Sequence, residues 1–71
     1  MKMIEKLRAF FEYCMKLMQW SEPEDDRKIY YHQAFGAAQF AYDNASSLQE
    51  KEDILKLWSD WKEVFEIEIY R

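Results

Sequence analysis

Apolar side chains recur at alternating spacings of three and four from the start of the chain. Ile4, Leu7, Phe11, Cys14 and Met18 form one row, and Met3, Phe10 and Leu17 run one position beside it. At about 100° per residue the two rows make an apolar arc roughly 160° wide. This predicts a helix over residues 2–20, with an arc wider than one neighbouring helix requires. Lys2, Glu5, Arg8, Glu12, Lys16 and Gln19 fall on its polar face, and Tyr13 and Trp20 fall on that side too.

The pattern breaks at Trp20-Ser21-Glu22-Pro23. Pro23 cannot continue the first helix and disfavours helical geometry at Glu22. It suits the first turn of a second helix, and Ser21 with Glu24 fits a capping box. Glu24, Asp25 and Asp26 place negative charge at the positive end of that helix's dipole. The second helix is predicted over residues 23–44, with Tyr31, Ala34, Phe35, Ala38, Ala41, Tyr42 and Ala45 on its apolar face. Small residues alternate there with aromatic ones, a pattern that interdigitates with larger neighbours. The stretch Ala34–Tyr42 is thus the expected floor of the core. Roughly opposite lies a second row, Ile29, Gln33, Gly36 and Phe40. A monomer gains little by exposing Ile29 and Phe40; either they are scattered surface hydrophobes of the ordinary kind, or this row is a second packing surface, the candidate interaction surface, with Gly36, the chain's only glycine, as its point of closest approach.

Asp43-Asn44-Ala45-Ser46-Ser47 reads as the second turn, with Asn44 in a left-handed C-terminal position and Ser47–Glu50 or Ser46–Gln49 as a capping box. A third helix is predicted over residues 48–69. Ile54, Leu55, Leu57, Trp58, Trp61, Val64, Phe65 and Ile69 make its apolar face. Phe65-Glu66-Ile67-Glu68-Ile69-Tyr70 alternates with period two, as a strand does. An isolated strand has nothing to pair with, so the helix is expected to continue through it.

These elements predict one all-α domain spanning residues 1–71, a three-helix up-down-up bundle, because both turns are short enough to force antiparallel neighbours. Its apolar surface exceeds what three helices need among themselves, so self-association is expected to complete it. Composition agrees: 49% of the 71 residues are hydrophobic and 34% charged, with one Gly and one Pro, which leaves little for strands or loops.

Charge narrows the partners. Ten basic residues against fourteen acidic give a net charge of −4, without the basic footprint that nucleic acid requires or that anionic membranes attract. Glu5, Lys6, Arg8 and Glu12 interrupt any signal-peptide apolar run, and no stretch approaches a membrane span. Cys14 is alone, so no intramolecular disulfide forms, which suits a reducing cytoplasm. A cytoplasmic location is expected.

Candidate chemistry is sparse. His32, the only histidine, has no nucleophile or carboxylate at a mechanistic spacing. Cys14 lies within an apolar stripe, where a thiol acts as a small hydrophobe. Asp60, Glu63 and Glu66 recur every three residues but lack the Glu-x-x-His element of a bundle metal site. Asn44-Ala45-Ser46 matches the glycosylation tripeptide, read as coincidence in a chain expected to be cytoplasmic. No catalytic, cofactor or metal residue and no small-molecule substrate is expected. The predicted function is a small non-enzymatic interaction module acting through an apolar helical face, homodimeric or bound to another protein. The alternative is an acidic regulator or inhibitor, antitoxin-like or mimicking nucleic acid, that occupies a basic protein surface.

Overall fold

The computed structural model describes residues 2–71. Three helices follow in order: α1 (Met3–Trp20), α2 (Glu24–Asp43) and α3 (Leu48–Ile69). All three pairs pack against one another. The result is the all-α three-helix bundle expected from the pattern, 39 Å long and 15–20 Å across. Contacts along it fix the directions. Lys51 at the start of α3 stands over Tyr42 at the end of α2, and Arg27 at the start of α2 bonds Ile69 at the end of α3. Helices α2 and α3 are therefore antiparallel, and α1 ends beside the end of α3, where Arg71 reaches Met18.

The core takes Leu7, Phe11, Cys14, Met15 and Met18 from α1, the alanines 34, 38 and 41 from α2, and Ile54, Leu57, Phe65 and Ile69 from α3. The alanines let the aromatics of α1 and α3 come close. Phe11 sits at its centre, with ring centroids 5.8–5.9 Å from those of Trp58, Trp61 and Phe65. Offset and edge contacts at these spacings favour ring pairs beyond the area they bury. Phe35, expected in the core floor, is 47% exposed, as are Val64 (47%) and Leu55 (53%) of the predicted α3 face. All three lie on the flanks of their helices, where the bundle stops short. Met15 is buried instead, because α1 lies against two helices and uses a wide arc. The period-two tail is helical: Phe65 and Ile69 face in and Ile67 faces out.

The turns differ in detail from expectation. Ser21 does not cap α2; its hydroxyl donates back to the Leu17 carbonyl of α1 at 2.7 Å. Pro23 is itself the N-cap, with φ −68° and ψ 135°, an extended geometry the ring accommodates while having no N–H to satisfy. Asn44 is not left-handed. It has φ −104° and closes the α2 end by donating its side-chain amide to the Phe40 carbonyl at 2.9 Å. Ser47 caps α3 as expected, accepting from the Glu50 amide at 3.1 Å.

One feature of the fold has no counterpart in the apolar pattern. Arg27 is 6% exposed. Its Nε and Nη2 both donate to the Ile69 carbonyl, at 3.0 and 2.8 Å, and its Nη1 donates to the carbonyls of Ser21 (3.1 Å) and Glu22. Neither α1 nor α3 has a basic residue in its last turn. Arg27 supplies the missing charge to the end of α3, where exposed carbonyls concentrate partial negative charge. Arg71 does the same for α1, donating to the Met18, Gln19 and Ser21 carbonyls at 3.2–3.4 Å while paired with Glu68 at 2.6 Å.

Candidate interaction surface

The total accessible surface, 4991 Å², is close to the roughly 4800 Å² expected of a compact monomer of this mass. The apolar side chains that remain outside therefore sit on a fully packed bundle. Those on α2, Ile29, Phe35 and Phe40, fall on two surfaces.

The first is the row predicted from sequence. Ile29 is 51% and Phe40 67% exposed, and Gln33 and Gly36 are exposed between them. The row lies about 140° around the helix from the centre of the buried alanine face. A Cβ added at Gly36 would meet nothing within 4 Å, so the glycine makes no close approach inside the chain. Ile29 and Phe40 are about 16 Å apart along the axis, and the span between them is polar or bare backbone.

The second is a groove of about 260 Å³ between α2 and α3. Ala38 and Ile54 form its floor. Phe35 and Trp58 line it in edge-to-face contact, 5.5 Å between centroids, and Tyr42 and Leu55 line it too, with Gln39 and Asp43 on the rim. Lys51 Nζ stands 4.8 Å from the Tyr42 ring centre. Sequence reading assigned Phe35 and Leu55 to the core and so missed the groove. The available signal was angular: each lies about 90° from the centre of its helix's buried arc, where a side chain borders a neighbour rather than lying beneath it.

Burial pushes the Cys14 thiol up to about 11, which removes the thiolate that nucleophilic chemistry needs at neutral pH. Tyr31 is raised, first by burial and then by the Glu66 carboxylate, to which its hydroxyl donates at 3.4 Å. Lys28 is raised by its hydrogen bond to Glu24, at 3.1 Å, and by that carboxylate's charge. His32 is exposed, with its ring edge-on to Tyr31 at 5.7 Å. Among the described residues, no three His, Cys, Asp or Glu side chains, Asp60, Glu63 and Glu66 included, converge on a point where a metal ion would sit. No described helix is long and apolar enough to cross a membrane. Comparison with family models, with curated proteins and with solved structures finds no match for the chain.

Proposed function

We propose that the chain is a non-enzymatic interaction module, acting through the outer face of α2, with a second copy of itself as partner. The observation that carries this is the symmetry of the exposed row. In an antiparallel pair of α2 helices crossing between Gln33 and Gly36, Ile29 of one copy faces Phe40 of the other, and Gln33 faces Gly36. Each contact is made twice, as a twofold interface requires. The glycine gives the longer Gln33 side chain a seat, and its surroundings are open. Buried, high-pKa Cys14 and exposed, unpositioned His32 offer no nucleophile–base pair, which supports the non-enzymatic reading.

Such a crossing is smaller than the roughly 800 Å² per partner of a standard interface, so the dimer is expected to be weak, with Kd in the micromolar range or above. Sedimentation velocity across a concentration series measures it. Phe40→Glu and Gly36→Leu should each shift the chain to monomer without loss of helicity, since both positions are outside the core. A wild-type chain that stays monomeric to millimolar concentration refutes the proposal. So does a dimer indifferent to both substitutions.

A further inference from the structure

On the reading that two copies meet through the Ile29–Phe40 row, we infer that repulsion between Asp25 of one copy and Asp43 of the other, at both ends of the contact, regulates how tightly they associate. Asp25 and Asp43 are eighteen residues apart, five full turns, so they stand on one line along α2. That line runs about 50° from the centre of the row. The two residues lie about 27 Å apart along it, one beyond Ile29 and the other beyond Phe40, and both are exposed. A twofold pair brings the same flank of each helix together. With the crossing between Gln33 and Gly36, Asp25 of one copy and Asp43 of the other are within one residue of level, about 1.5 Å. Packed helices have axes about 8–10 Å apart, so the carboxylates stand within about a Debye length of each other at 0.1 M salt, ~10 Å.

No basic side chain on this face offsets the repulsion. Between Lys28 and Asp43, α2 has no Asp, Glu, Lys or Arg. Its two basic residues are engaged elsewhere: Arg27 is buried against main-chain carbonyls, and Lys28 pairs with Glu24 at 3.1 Å. From α3, Lys51 lies over the Tyr42 ring. Among the described residues, neither Asp25 nor Asp43 is in an ion pair. His32 is exposed on the same flank, but near the crossing and not at its ends. Asp26, also exposed, adds a third carboxylate to each end from the other flank. Two unit charges about 9 Å apart in water shift an equilibrium about twofold, and two such pairs about fivefold before screening.

Sedimentation velocity of four proteins tests this: the wild-type chain, Asp25→Lys, Asp43→Lys and the double variant carrying both substitutions. Each single variant sets an ammonium opposite a carboxylate at both ends. It should dimerise about three- to tenfold more tightly than wild type at about 50 mM salt. The double variant sets ammonium opposite ammonium and should fall back to within about twofold of wild type. Raising salt to about 300 mM should strengthen the wild-type pair and weaken those of the single variants. Were overall charge the cause, the double variant, whose net charge rises from −4 to zero, would be the tightest of the four. Circular dichroism checks that the variants fold, since both positions are exposed. A double variant tighter than both single ones, or single variants no tighter than wild type, in chains whose pairing Phe40→Glu abolishes, overturns the charge regulation and leaves the α2 interface standing. Four proteins that all stay monomeric to millimolar concentration overturn both.

Discussion

Replacing Arg27 tests whether the bundle's end is held by geometry or merely by charge. The guanidinium makes four hydrogen bonds to three carbonyls, two of them to Ile69. No carboxylate is hydrogen-bonded to it. Charge-assisted hydrogen bonds each contribute about 1.5–3 kcal/mol, but taking the cation out of water costs several kcal/mol, so most of the gross gain cancels. With Arg27→Met the stem packing and volume remain, the desolvation cost disappears, and the Ile69 carbonyl is left without its donor. An unsatisfied buried acceptor costs about 1–3 kcal/mol, while water replaces the donor at the more open Ser21 and Glu22 carbonyls. The expected loss is therefore about 1–3 kcal/mol, against a total of about 4–10 kcal/mol for a chain of this length. Arg27→Lys keeps the charge but not the planar fork, and a single ammonium does not reproduce four hydrogen bonds shared between the end of α3 and the α1–α2 turn. It should destabilise at least as much as Met. Urea unfolding followed by circular dichroism gives the free energies directly, and thermal midpoints should drop by about 4–8 °C per kcal/mol. A lysine variant as stable as wild type would refute the reasoning, since charge alone would then suffice.

Three further predictions concern single positions. Ala34→Leu should destabilise by about 1–3 kcal/mol through overpacking at a fully buried site, whereas Ala38→Leu should cost less because its side chain can enter the adjoining groove; equal losses in urea unfolding would count against the groove. Gly36→Ala should stabilise the monomer by about 0.5–1 kcal/mol, since the position is helical, exposed and without a steric obstacle; a loss in midpoint would contradict the open surroundings. Below about pH 8.5 the Cys14 thiol is protonated folded and unfolded, but between there and about 11 only the unfolded chain sheds its proton. Stability should therefore fall as pH rises through that window, by about 1–3 kcal/mol more than in Cys14→Ala; parallel pH profiles would mean that the thiol stays exchangeable with solvent.

The helices were legible to within one residue at every end, because side-chain periodicity and a proline mark them directly. Legibility failed where a side chain's fate depends on a neighbour's position. Met15 and Leu55 both lie off their helix's central stripe; one is covered by a second helix and the other is not. Periodicity along one segment carries no information about that. Ser21 and Asn44 have side chains able to serve either adjoining element, and both bond the helix they follow. Arg27 was invisible for another reason. It sits at the angle of the alanine face, but a charge is assigned outward by default, and its acceptors are 42 residues away and in the preceding turn. Its only trace in the sequence is negative: α1 and α3 end without a basic residue to serve their last carbonyls. Of the candidate surface, the Ile29–Phe40 row was readable because it belongs to one helix; the groove required two.

The two arginine clamps also decide which positions can drift. Both grip main-chain oxygens, which every amino acid supplies in the same place. The residues gripped, at 18, 19, 21, 22 and 69, are thus free of any chemical requirement from the clamps themselves. Met18 and Ile69 are constrained only by the core, Ser21 by its hydroxyl's bond to the Leu17 carbonyl, and Gln19 and Glu22 by little at all. The burden falls on the donor side: a mutational scan of this end should find Arg27 intolerant and the turn it holds permissive. The short α1–α2 connection can therefore change its surface character without loosening the helices it joins.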